Sequence, residues 1–198
     1  NSILLFVSLS CIIKSLVANR LTWQVMKLPA IGLLPVMVVI LPASYLDLGG
    51  YHPFYRFGIL TGILAFTSHY FLVAKNEKTW PAIVVSWWHT VSMWLLTLIL
   101  TLETSWWVDN FAEGVGTWGY ICFGIVPSAI TVFLLGKGRK IQWPVKRFES
   151  EYLGVGLGVL IIYLILWDVF SCLMSGDPSP LSYIPVINPM GISQIFAL

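Results

Sequence analysis

From Pro81 to Leu102 the chain carries one histidine, His89, and no other ionisable side chain. At 1.5 Å per residue this run of about 22 residues makes a helix of roughly 33 Å, enough to cross a hydrocarbon core of about 30 Å. A segment of this kind requires a lipid environment, and the rest of the chain agrees. Only 10% of the 198 residues are charged, against about 25% in an average soluble domain, too few to coat a water-facing surface. The expected fold class is therefore all-α, a polytopic transmembrane helix bundle forming one helical domain over residues 1–198.

The same run is not uniformly apolar. When the helix advances by about 100° per residue from Ser86, the side chains of His89, Thr90, Met93, Thr97 and Thr101 all fall within about 60° of it. One face thus carries hydroxyls and an imidazole, and a polar stripe in lipid must face protein or water. Ser86, His89, Thr90, Thr97 and Thr101 are the candidates for an intramembrane polar path. The competing account is ordinary hydrogen-bonded helix packing.

Hydropathy and turn signals divide the chain into six expected spans, about 2–17, 28–46, 54–74, 80–102, 117–135 and 152–174, with the start of a seventh from Met190. In the second, Pro29 suits a helix start, while Pro35 and Pro42 are expected to kink it. The third carries Gly58, Thr61, Gly62, Ala65, Ser68 and His69 at three- and four-residue spacing, a stripe for close packing. The sixth opens with Gly154, Gly156 and Gly158, also read as sites of close approach. The stretch from Glu103 to Gly116 reads as an acidic, aromatic connector with room for a short interfacial helix. The chain begins at Asn1 rather than Met and ends within an apolar run, so it reads as a portion of a longer protein.

Charge sets the expected orientation. Alternating the connectors between two sides gives one side nine basic residues: Arg20, Lys27, Lys75, Lys78, Lys137, Arg139, Lys140, Lys146 and Arg147. The other side's loops carry none. The positive-inside rule then makes the loops around residues 20, 77 and 140 cytoplasmic, and those around 50, 109 and 180 outward. The cluster Lys137, Arg139, Lys140, Lys146 and Arg147 is a candidate contact for anionic lipid headgroups. The other expected partners are the bilayer and the remaining helices of a full-length chain, with no nucleic acid.

Four stretches carry a family resemblance. They are GDPSPLSYIPVINP from Gly176 to Pro189, the apolar helix from His89, the Trp-rich turn after Glu103, and WPVKRFESEY before the sixth span. From about Tyr55 to Leu198 the chain resembles the bacterial family of predicted membrane proteins known as domain of unknown function 2339. The resemblance implies a late portion of a large envelope protein and brings no catalytic residues with it.

The three cysteines, Cys11, Cys122 and Cys172, lie in apolar segments without metal spacing, and His69 and His89 make no ligand pair. No metal or cofactor is expected. Outward-face candidates are His52, Arg56, Glu103, Asp109, Asp168 and Asp177. Carboxylates beside aromatic rings could serve glycosyl or related group transfer. Arg56 and Asp168, at similar depth, are a candidate pair; the competing account places Arg56 on a lipid phosphate and leaves Asp168 neutral or bonded to a hydroxyl. The leading functional expectation is a transport or assembly component of the cell envelope; the alternative is a membrane-embedded envelope enzyme with an outward-facing site.

Overall fold

The computed structural model describes residues 2–21, 28–45, 57–112, 117–174, 176–179 and 188–197. All regular structure among them is helical. The chain divides into two compact units, Asn1–Trp88 and His89–Leu198, the division falling within one long helix.

In the first unit α1 (Ser2–Leu21) packs on α4 (Gly58–Asn76). α1 buries Leu4, Ser8, Cys11, Ser15 and Ala18, a four-three-four-three spacing that keeps one stripe inward. α4 buries Gly58, Thr61, Gly62, Ala65, Ser68 and His69, so the expected small-residue stripe is its packed face. Thr61 and Ser68 donate to the carbonyls of Phe57 and Leu64 within their own helix. Their side chains therefore bring no unmet donor into the seam.

Between these helices the expected single kinked span is two pieces, α2 (Leu28–Ile31) and α3 (Leu33–Ala43). The break falls at Gly32, directly after Ile31, whose carbonyl lies four residues before Pro35. Pro35 cannot donate to that carbonyl and its ring crowds it, so the break sits where this proline is expected to disturb a helix. Pro42 lies inside α3, next to its last residue.

The long helix α5 (Ala82–Phe111) has 30 residues, about 45 Å at 1.5 Å per residue. The expected connector from Glu103 onward is thus its last turns. Glu103 to Phe111 contains neither Gly nor Pro to stop a helix. Thr104 donates to the Leu100 carbonyl, Asn110 to that of Trp106, and Trp107 Nε1 to Glu103 Oε1 at 3.0 Å.

In the second unit α5 is followed by α6 (Trp118–Lys137), a short 3₁₀ turn at Gly138–Lys140, and a wide-turned stretch over Gln142–Gly156 that leads into α7 (Leu157–Ser171). In this stretch Lys146 N bonds the Ile141 carbonyl five residues back, and Trp143 is extended. α8 (Pro189–Ala197) packs on α6 and α7, where Met190 joins Ile121 and Trp167 in a small core. Among the described residues four helices are long and apolar enough to cross a membrane: Gly58–Asn76, Ala82–Phe111, Trp118–Lys140 and Ser150–Ser171. Ser2–Ala18 within α1, and Leu33–Ala43, are shorter apolar helical stretches.

Candidate functional site

In the second unit His89 is fully buried. The stretch after α6 folds back to enclose it. Phe148 stacks on the imidazole at 3.9 Å between centroids, and Trp143 meets it edge-on at 6.1 Å. His89 Nδ1 lies 3.1 Å from the hydroxyl of Tyr152, itself buried. The tautomer decides which of the two donates. The other ring nitrogen, Nε2, is buried without a hydrogen-bond partner among the described residues.

One turn on, Trp94 Nε1 donates to the Gly156 carbonyl at 3.1 Å. Met93 packs where a Cβ on Gly156 would come within 2.9 Å of its sulfur. Gly156 thus makes the close approach expected of the glycine series, whereas Gly154 and Gly158 face open space. Met93, Tyr152, Leu157 and Leu160 share one core with Leu134 and Val145. This ties α5 to the stretch carrying the basic residues, whose side chains at Lys137, Arg139, Lys140, Lys146 and Arg147 are exposed. Arg139 pairs with Glu149 at 2.8 Å.

The α5 stripe is buried as expected: Thr90, Thr97 and Thr101 join His89, while Ser86 is half-buried. Two of its hydroxyls turn inward on their own helix: Thr97 donates to the Met93 carbonyl at 2.9 Å and Thr101 to that of Thr97 at 2.8 Å. Off the stripe, Ser92 donates to the His89 carbonyl at 3.0 Å.

Of the outward-face candidates, His52 and Arg56 lie outside the described residues, and with Arg56 the candidate pair to Asp168. Asp168 is half-buried near the end of α7. Glu103 accepts from Trp107 on its own helix. Asp109 lies against Gly119, in the first turn of α6, where its charge complements the helix dipole and a side chain on that glycine would collide with the carboxylate. Asp177 accepts from Ser179 N through its carboxylate, while its backbone carbonyl takes both the N–H and the hydroxyl of Thr117.

Sequence reasoning missed two features. Pro127, inside α6, cannot donate to the Phe123 carbonyl four residues back; the hydroxyl of Tyr163 on α7 donates there instead at 3.0 Å. A lone proline and a lone tyrosine in otherwise apolar spans were the available signal. Beside this bond lies a groove of about 340 Å³ between α5, α6 and α7. A second cavity, of about 290 Å³, lies between the end of α7 and the start of α8, where Gln194 Nε2 donates to Ser171 Oγ.

A family model described as predicted membrane protein (DUF2339) matches residues 1–198. The chain belongs to the DUF2339 family. The match covers the whole chain, including the residues before Tyr55 where the resemblance was not expected to reach. No curated protein and no solved structure matches it. The resemblance-bearing stretch of this DUF2339 chain is described at its two ends. Gly176 adopts φ +58°, a conformation that favours glycine, and Trp118 Nε1 donates to the Ser179 carbonyl at 2.7 Å. Asn188 caps α8 by accepting from Gly191 N at 2.7 Å, with Pro189 at the first helical position. The motif's ends are thus a clasp on α6 and a helix start. Membership makes the protein a membrane protein and assigns it no reaction.

Proposed function

We propose that this DUF2339 chain is an assembly component of the bacterial cell envelope, seated in the inner membrane. Its loops around residues 20, 77 and 140 face the cytoplasm and those around 50, 109 and 180 face outward. The observation that carries the reading is the inward turn of two hydroxyls on the α5 stripe. Thr97 and Thr101 donate their hydroxyl hydrogens to their own helix, so these two offer a passing solute acceptors but no free donors.

The test is complementation of an envelope-integrity defect in a deletion strain by the full-length protein. Thr97→Leu, Glu103→Gln and Asp109→Asn should each complement at the wild-type level. Loss with Thr97→Leu at unchanged abundance would establish a polar path instead, and loss with either carboxylate variant would establish an enzyme. Sidedness is checked separately. A cysteine at Ser179 should react with an impermeant thiol reagent in intact cells, and one at Lys140 only after permeabilisation.

A further inference from the structure

We infer that the groove between α5, α6 and α7 seats one acyl chain of an anionic phospholipid whose headgroup lies against the basic stretch after α6. Polar hydrogens lining the groove come from Trp94, Thr97, Thr101 and Tyr163, and each is already donated to a backbone carbonyl, those of Gly156, Met93, Thr97 and Phe123. An occupant therefore finds no spare donor. Water needs two to four polar partners, and a polar ligand would leave its acceptors unmet at hydrocarbon depth. Hydrocarbon loses nothing there.

A groove of about 340 Å³ takes a flexible hydrocarbon chain along its length. The outer wall is open to lipid, because Leu98 and Val159 are exposed there.

Charge and depth select the headgroup. Pro127, on the groove wall, lies ten residues before Lys137, about 15 Å of helix rise, and one leaflet is half of the roughly 30 Å core. A tail reaching the groove thus brings its phosphate to the level of Lys137, Lys140, Lys146 and Arg147, all exposed. Ile141, Val145 and Phe148 pack inward from the same stretch, which holds the cations at the interface. Basic residues at a membrane surface each contribute about 1 kcal/mol toward anionic lipid. The inference does not depend on the assembly reading.

The experiment places a photoreactive p-benzoylphenylalanine at Leu98 of the full-length protein in vesicles of phosphatidylethanolamine with one-fifth phosphatidylglycerol. The expected result is a mass adduct of one phospholipid, with phosphatidylglycerol enriched at least threefold over its share. Combining Lys140→Gln, Lys146→Gln and Arg147→Gln should abolish the enrichment and keep the adduct. Val159→Trp, which fills the groove, should abolish the adduct. Crosslinking only to protein would overturn the inference, as would an unenriched adduct or an adduct that persists in Val159→Trp. If that variant fails to fold, the Leu98 probe in the otherwise native chain decides the matter.

Discussion

The seam of α1 with α4 in the first unit and the seam of α5 with the Gln142–Gly156 stretch in the second solve one problem by opposite means. Lipid tails are as apolar as Leu side chains, so helices in a membrane gain little by hiding hydrocarbon from each other. The first seam uses smallness: Gly58, Gly62 and Ala65 on one side, Ser8, Cys11, Ser15 and Ala18 on the other, all buried. The second uses inserted side chains. Trp94 reaches the Gly156 carbonyl, His89 meets Tyr152, and Phe148 stacks on the imidazole. Smallness asks only that nothing large intrude. Insertion needs particular atoms at particular depths, so it fixes the register of the wide-turned stretch as well as its distance.

The sharpest way to break this comparison is at the one point where the second seam also needs smallness. Gly156→Val puts a Cβ 2.6 Å from the Glu151 carbonyl oxygen, and overpacking of this kind should cost about 3 kcal/mol. Gly154→Ala, into open space, should change stability by less than about 0.5 kcal/mol. Reversible unfolding in mixed micelles measures both, and equal losses would dissolve the distinction. In the first seam, Ala65→Leu enlarges a fully buried position and should cost about 2 kcal/mol; no loss would mean the helices are held by something other than close approach.

Smaller effects separate the polar contributions. Tyr152→Phe removes the partner of His89 Nδ1 and should cost about 0.6 kcal/mol, no more than about 1.7. A double-mutant cycle with His89→Phe should return a coupling of that size, and a coupling of zero would make the pair incidental. Thr97→Val removes a hydroxyl bonded only to its own helix, so unfolding should shift by less than about 0.5 kcal/mol.

The parts legible in the sequence were those carried by short-range periodicity. The α4 stripe and the buried face of α5 both follow from spacings of three and four, because the helix itself maps those spacings onto one side. The extension of α5 to Phe111 was hidden by composition: Glu103, Trp106, Trp107 and Asp109 resemble a connector, yet no residue among them stops a helix. The break at Gly32 was signalled by Pro35, four residues beyond Ile31, but a proline alone does not say whether a helix bends or separates into two pieces. The enclosure of His89 depends on Tyr152, 63 residues away, and no local pattern records such a meeting.

The bond from Tyr163 to the Phe123 carbonyl bears on how the protein is made. When α6 enters the bilayer, the carbonyl released by Pro127 has lost its donor four residues on, at a depth where water cannot replace it. The substitute sits 40 residues later in the chain, on a helix that is synthesised afterwards. An orphaned buried carbonyl costs about 1–3 kcal/mol, and it persists until α7 arrives alongside. Biogenesis therefore favours α6 and α7 leaving the insertion machinery together, as a hairpin.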